Sequence, residues 1–187
     1  MGNGSSKALV DYLLNPEAAI PSETVIVTTE EPTVEVIPSV ITSEDRLDVN
    51  MTMLMARLKE IGMNAKDVHY RAKGKAFFAL HEMADLIWDM DKLTDNIAEI
   101  YFMGERLKEP PLLSVVYAQA LTIPTRAAGE LTQFIERLRD SVGICIKEVE
   151  AIKKEFPDLT SGVVALLDEI SQKSLIALGF LEQTLKK

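Results

Sequence analysis

The chain has 187 residues, of which 47% are hydrophobic and 26% are charged, so we expect a domain with a full core rather than a disordered chain. Its single cysteine, Cys145, excludes an intramolecular disulfide or a thiolate metal cluster and indicates a reducing compartment, the cytoplasm. The formal net charge of −9 argues against direct DNA binding, because Lys and Arg drive phosphate binding. No apolar run approaches the ~18 residues of a membrane span, so we expect no membrane partner.

The first fifty residues differ from the rest of the chain in charge and proline content. They carry a net charge of −7 and four of the eight prolines, whereas residues 51–187 carry a net charge of −2. Residues 25–41 are rich in β-branched side chains and are interrupted by Pro32 and Pro38, which predicts extended structure. We therefore predict an acidic N-terminal arm over residues 1–45, followed by one domain over residues 46–187. The arm is either disordered when free or ordered as an edge strand on another subunit.

From Leu47 onward the apolar residues have helical spacing. The first predicted helix ends at Lys73 and Gly74, and its inward stripes are Leu47, Leu54, Ile61 and Val68 with Met51, Leu58, Ala65 and Ala72. The second predicted helix runs from near Ala76 to about Phe102, with Leu80, Ile87, Ile97 and Tyr101 inward.

A short helix over residues 112–121, bracketed by prolines, is expected to cross over to two further long helices. The third helix has Leu131, Ile135, Leu138, Val142, Cys145, Val149 and Ile152 inward and ends at Phe156. The fourth, capped by Asp158 or Thr160, has Val163, Leu167, Ile170, Ser174, Ala177 and Leu181 inward. This order predicts an all-α, ferritin-like four-helix bundle with a short crossover helix between helices two and three, preceded by the extended arm.

Both histidines of the chain lie in one short stretch. His69 is near the end of the first helix and His81 is one turn into the second, so the intervening turn brings them to the same end of the bundle. Asp85 follows His81 at i+4 and shares its helical face, and Asp95 and Glu99 repeat this spacing with two carboxylates. Mixed imidazole and carboxylate ligands suit Fe(II). The alternatives are structural histidines and a solvated acidic face.

This stretch resembles the Dps family of miniferritins, DNA-protection proteins of the ferritin-like superfamily. The resemblance rests on His69 with its aromatic neighbour, the Lys73-Gly74 turn, the string Phe-Phe-Ala-Leu-His-Glu at residues 77–82, Asp85, and the Asp95 to Glu99 turn. Weaker similarity extends over about residues 47–185.

The resemblance implies a function and an assembly. It implies a ferroxidase that oxidises Fe(II), preferably with hydrogen peroxide, stores ferric iron inside a hollow dodecamer built from dimers, and protects against oxidative damage. It implies a di-iron or mono-iron centre at a twofold interface, with His69, His81 and Asp85 of one chain facing Asp95 and Glu99 of another. Asp158 matches one acid of the family's ion pore. The alternative is a catalytically decayed ferritin-like shell or interaction protein that uses its arm for assembly.

The spacing from His81 to Asp95 is one residue shorter than the family pattern. Without a gap, Asn96 and Ile100 take the second pair of ligand positions; with a one-residue gap, Asp95 and Glu99 take them. We adopt the gap because it restores both carboxylates. A missing residue rotates the rest of a helix by about 100° unless local overwinding or a bulge compensates for it.

Overall fold

The computed structural model describes residues 42–123 and 129–186, and every regular element among them is helical. Helix α1 (Ser43–Arg71) leads through a 3-10 turn (Gly74–Ala76) into a second rod. That rod consists of α2 (Phe77–Trp88), a 3-10 segment (Asp89–Lys92), α3 (Leu93–Asn96) and a π-helix (Ile97–Glu105). The crossover helix α4 (Leu113–Thr122) and the long helices α5 (Leu131–Glu155) and α6 (Ser161–Leu185) follow. Residues 1–41 of the predicted arm lie outside the described residues, so the arm stays a prediction.

Helix α1 begins earlier than its apolar spacing predicts because its first turn has a capping box. The Thr42 hydroxyl accepts a hydrogen bond from the Asp45 backbone N–H at 3.1 Å, and the Asp45 carboxylate accepts one from the Thr42 N–H at 3.2 Å. At the other end the chain leaves the helix after Arg71 and turns at Gly74, whose φ of +74° favours glycine. The predicted stop at this glycine is therefore confirmed.

Side-chain contacts between helix ends show the direction of each helix. Arg46, near the start of α1, pairs with Glu155 at the end of α5, and Asp67 near the end of α1 pairs with Arg137 near the start of α5. Thr160, just before α6, donates a hydrogen bond to Glu105 at the end of the second rod. The first and fourth long elements are therefore parallel, and the second and third run the opposite way. This is the ferritin-like topology that the sequence predicts.

The inward residues predicted from the sequence form the core. The predicted positions on all four long elements are buried in one hydrophobic cluster, except Leu47 and Leu131, which pack at its margin, and Ser174, a buried polar residue. Cys145 is fully buried and free, and burial raises the pKa of its thiol to about 12 although the Ser174 hydroxyl lies 3.7 Å from the sulfur. No helix within residues 42–123 and 129–186 is long and apolar enough to cross a membrane.

A buried polar cluster joins α1 to α5 inside the bundle. Glu60, 2% exposed, accepts hydrogen bonds from Asn64 and Ser141 at 2.6 Å each, and from Arg57 at 3.0 Å. The Arg57 guanidinium also donates to Glu148 at 3.0 Å. Each oxygen of the Glu60 carboxylate therefore has a partner, which a buried charge requires.

The end of the second rod is attached to α1 through Asp48. One oxygen of its carboxylate accepts hydrogen bonds from the Tyr101 hydroxyl at 2.6 Å and from Arg106 Nε at 2.9 Å, and the other accepts one from Lys108 at 2.8 Å. Tyr101 is fully buried, so the π-helix cannot rotate without breaking these bonds. The contact therefore fixes the end of the second rod against the first turns of α1.

We expect replacement of Asp48 by asparagine to lower the free energy of unfolding by about 2 kcal/mol at pH 7, because its hydrogen bonds are charge-assisted. Burial alone would raise the pKa of the Asp48 carboxyl, but the bonds from Arg106, Lys108 and Tyr101 outweigh burial and lower the pKa below 3.8. The stabilisation is therefore complete above the unfolded-state pKa and is lost as the pH falls through the lower folded-state pKa.

Urea unfolding from pH 7 to pH 2 measures this effect. The difference between wild type and Asp48→Asn should shrink below pH 3.8. The control Asp89→Asn changes a carboxylate that pairs with Lys92 at the surface and should show little difference at any pH. A difference for Asp48→Asn that persisted unchanged at pH 2 would contradict the assignment.

Candidate metal centre

The turn between α1 and α2 brings both histidines together. The rings of His69 and His81 stack with their centroids 3.8 Å apart and their planes inclined by 29°. His69 comes from the last turn of α1, and His81 comes from the second turn of α2. The predicted proximity of the two histidines is therefore confirmed.

Asp85 lies beside this pair. Its carboxylate oxygen is 2.7 Å from Nδ1 of His69, while its side chain is 53% exposed. The distance is that of an ion pair, but the angle is not that of a hydrogen bond, since Nδ1 of His69 remains without a hydrogen-bond partner. Imidazole and carboxylate therefore meet at one point on the surface of the bundle.

Two nitrogens of the centre are buried and make no hydrogen bond within the described residues. They are Nδ1 of His69, which lies 2.7 Å from the Asp85 carboxylate, and Nδ1 of His81. A buried polar atom without a hydrogen bond costs about 1 to 3 kcal/mol. Each imidazole can bind a metal ion through its other nitrogen, and imidazole with carboxylate suits Fe(II).

An aromatic ring contacts each histidine of the pair. Phe77 lies against His81 with centroids 4.2 Å apart, and Tyr70 meets His69 edge to face at 5.3 Å. Tyr70 is 70% exposed and Phe77 is 36% exposed. Tyr70 is the aromatic neighbour of His69 in the sequence motif, whereas the motif alone gives Phe77 no role. Its position four residues before His81 is the signal that indicates a shared helical face.

Asp95 and Glu99 lie further along the second rod and are exposed. Among the described residues of a single chain, no group of three or more metal-ligating side chains converges on one point. Neither His69, His81 and Asp85 nor the two further carboxylates therefore form a complete metal site within one chain. Ile100 takes a ligand position only when the sequence comparison has no gap. Its Cγ2 atom lies 3.9 Å from the position that a Cβ on Gly162, at the start of α6, would occupy. Asp158, the predicted pore residue, is exposed in the turn before α6.

The second rod contains the overwinding that the shortened spacing requires. Four residues of 3-10 helix, Asp89–Lys92, lie between Asp85 and Asp95. At three residues per turn, they rotate the chain by about 80° more and advance it by about 2 Å more than four α-helical residues do. One missing α-helical residue removes about 100° and 1.5 Å. For Asp95 the segment therefore offsets most of the rotation and all of the rise, whereas Glu99 lies beyond it, in the wider turns of the π-helix.

Contacts with α1 support this overwound segment. Lys59, whose side chain is 9% exposed, pairs with Asp91 at 2.6 Å. A Cβ at Gly62 would stand 3.1 Å from the Cβ of Asp91, so glycine permits the close approach. Trp88, 37% exposed, lies beside Gly62 and under the ammonium of Lys66, which is 4.1 Å from the ring centroid.

Helix directions, the crossover and the histidine pair place the chain in the ferritin-like class of four-helix bundles. It is similar to the X-ray structure of Dps from Thermosynechococcus elongatus, with a TM-score of 0.65 and 20% identity, covering 77% of this chain and 92% of that one. It is also similar to the structure of Dps from Microbacterium arborescens in the high iron form, with a TM-score of 0.63, 16% identity, and coverage of 79% and 100%. No known protein family and no curated protein matches the chain by sequence. The chain therefore has a Dps-like, ferritin-family fold.

Proposed function

We propose that the protein is a Dps-like ferroxidase that oxidises Fe(II) with hydrogen peroxide and stores the ferric product. The observation that carries the proposal is the stacked His69–His81 pair, with the Asp85 carboxylate 2.7 Å from His69. The fold adds support, because both solved structures named above are Dps proteins, one of them in a high iron form. The protein would protect the cytoplasm by removing Fe(II) and peroxide together.

In this proposal a single chain supplies half of the iron site. His69, His81 and Asp85 bind Fe(II) from one side, and Asp95 and Glu99 of a second copy complete the ligand set across a twofold axis. The exposure of both carboxylates leaves them accessible to another chain. The overwound segment supports the choice of Asp95 and Glu99 over Asn96 and Ile100, because it compensates for the shortened spacing.

The reaction transfers two electrons from two Fe(II) substrate ions to one peroxide molecule. The oxygen–oxygen bond breaks, two protons are taken up, and two water molecules form with two Fe(III). The residues hold the ions in place: the neutral imidazoles donate lone pairs, and the carboxylates offset the positive charge. Rigid helices keep these ligands in position while the charge of the ions changes.

The crossover helix offers a surface for the second copy. Helix α4 has no charged residue, and Leu113, Tyr117 and Leu121 form a stripe at i, i+4 and i+8 that is 53%, 41% and 74% exposed. Tyr117 also contacts Lys59. Lys59, Lys66 and His69 all contact the second rod, through Asp91, Trp88 and Asp85 respectively. The stripe therefore lies on the flank that carries the candidate centre. A twofold pair of such stripes would be self-complementary, as a symmetric dimer requires.

We expect the double variant Leu113→Asp, Leu121→Asp to dissociate the assembly, because a carboxylate cannot be buried in an apolar interface without a partner. Light scattering after size exclusion should show a fall from the oligomer, which we propose to be a dodecamer, to smaller species. Leu175→Asp changes a leucine of similar exposure (55%) on α6 and is the control for added charge. An unchanged mass for the double variant would exclude α4 from the interface.

Stopped-flow oxidation of Fe(II) by peroxide tests the proposed function. We expect His69→Ala and His81→Ala each to slow the fast phase at least tenfold, since each removes a direct ligand. The control is Asp168→Ala, which deletes an exposed carboxylate on α6 that pairs with Lys153 and should leave the rate unchanged. Equal rates in all four proteins would reject the ferroxidase and favour the decayed shell.

Direct DNA binding is not part of this proposal. The acidic arm and the net charge of −9 offer little to a phosphate backbone. Tight binding in a gel shift at low salt would contradict this expectation, because low salt strengthens phosphate contacts most.

A further inference from the structure

Within residues 42–123 and 129–186, no hydrogen bond sets the orientation of the His81 imidazole. Its Nδ1 is buried without a partner, whereas the nearby carboxylate of Asp85 approaches His69 instead. Metal-binding histidines usually donate their second ring N–H to a carboxylate or a carbonyl, which fixes the ring. The χ2 torsion of histidine is broad, so it does not fix the ring by itself. The orientation of His81 must therefore come from packing.

The packing consists of a ring on each face of His81. Phe77 lies on one face, with centroids 4.2 Å apart and planes inclined by 35°. His69 lies on the other face at 3.8 Å and 29°. Phe77 precedes His81 by one helical turn and therefore shares its helical face. Rotation of the His81 ring out of this sandwich would require Phe77 to move.

Phe77 is held in turn by the local chain. The 3-10 turn after Gly74 leads directly into the helix at Phe77, and the ring of Phe78 meets it edge to face at 5.2 Å. Phe78 itself is 78% exposed, and its ring contact is with Phe77 rather than with either histidine. Of the two neighbouring phenylalanines, Phe77 therefore contacts a histidine ring, whereas Phe78 contacts Phe77.

We propose that Phe77 is a positioning residue that presses the His81 imidazole against His69 and so holds it in the metal-binding orientation. The inference rests on the proposed function, because it assigns the histidine pair to metal binding. It adds that a flat aromatic face at residue 77, and not merely an apolar side chain, is required. Phe77 touches no reacting atom and acts through His81.

Titration of the full-length protein with Co(II) tests this role. The visible absorption of Co(II) depends on its ligands, and Co(II) is not oxidised when the buffer contains no peroxide. We expect Phe77→Leu and Phe77→Met to weaken Co(II) binding about tenfold, which is the usual loss of affinity when a residue that orients a ligand is changed. The absorption bands of Co(II) should shift as well. Phe77→Trp restores a flat ring and should bind Co(II) within about twofold of wild type.

Phe180→Leu is the control, since it removes an aromatic ring of similar exposure (45%) on α6 and should leave binding unchanged. Thermal unfolding of each variant identifies any loss of fold. Wild-type affinity in folded Phe77→Leu and Phe77→Met would overturn the role of Phe77. If wild type binds no Co(II), or His81→Ala binds it as tightly as wild type, the proposed function fails instead, and the inference fails with it.

Discussion

Two inactive variants, His81→Ala and Glu99→Ala, should recover iron oxidation when their chains are assembled together. In a twofold dimer of one chain of each kind, one site contains both defects and the other contains neither. Random mixing makes half of the dimers mixed, so about a quarter of all sites should be intact. Stopped-flow oxidation of Fe(II) after joint refolding measures this recovery.

A second mixture provides the control for this experiment. His69→Ala and His81→Ala remove ligands from the same half of the site, so a mixed dimer of these chains has no intact site and should stay inactive. Recovery in both mixtures would indicate refolding artefacts, and recovery in neither would reject an iron site shared between chains. A mixture of His81→Ala with Asp95→Ala, in place of Glu99→Ala, repeats the test for the other carboxylate.

Replacement of Arg57 by methionine should destabilise the bundle by about 3 to 5 kcal/mol, the cost of breaking a buried ion pair from one side. The variant leaves the carboxylate of Glu60 buried with Asn64 and Ser141 but without a positive partner. Urea unfolding at matched protein concentration measures the change, because assembly makes stability depend on concentration.

Adding Glu60→Gln to Arg57→Met should recover part of this loss. The glutamine is uncharged yet can still accept hydrogen bonds from Asn64 and Ser141. Arg139→Met, which removes a guanidinium paired with Asp140 at the surface, should cost less than about 1 kcal/mol. If Arg57→Met were no more destabilising than Arg139→Met, the buried pair would have no special role in stability.

The parts of the fold that depend on local spacing could be predicted from the sequence. The apolar stripes of the four long elements, the stop at Gly74 and the proximity of His69 and His81 follow from helical periodicity and one turn. These features need only residues that are close in sequence. Cys145 on an apolar stripe is likewise buried as expected.

The winding of the second rod could not be predicted in the same way. The 3-10 segment contacts Lys59 and Gly62, and the π-helix contacts Asp48, all of them on a different helix. Helical propensity is insensitive to such distant contacts, so the sequence predicts one continuous α-helix there. The placement of Asp95 and Glu99 is harder still, because in our proposal their partners belong to another chain.

The overwound segment Asp89–Lys92 also bears on how ligand motifs are compared between bundle proteins. What a neighbouring subunit contacts depends on the rotation of each side chain around the helix axis and on its position along that axis. Neither quantity is fixed by the number of intervening residues alone. Four residues of tighter winding make a chain that is one residue shorter present nearly the same surface. Motif searches that demand a constant spacing will therefore pass over relatives in which a short 3-10 segment has replaced a missing residue.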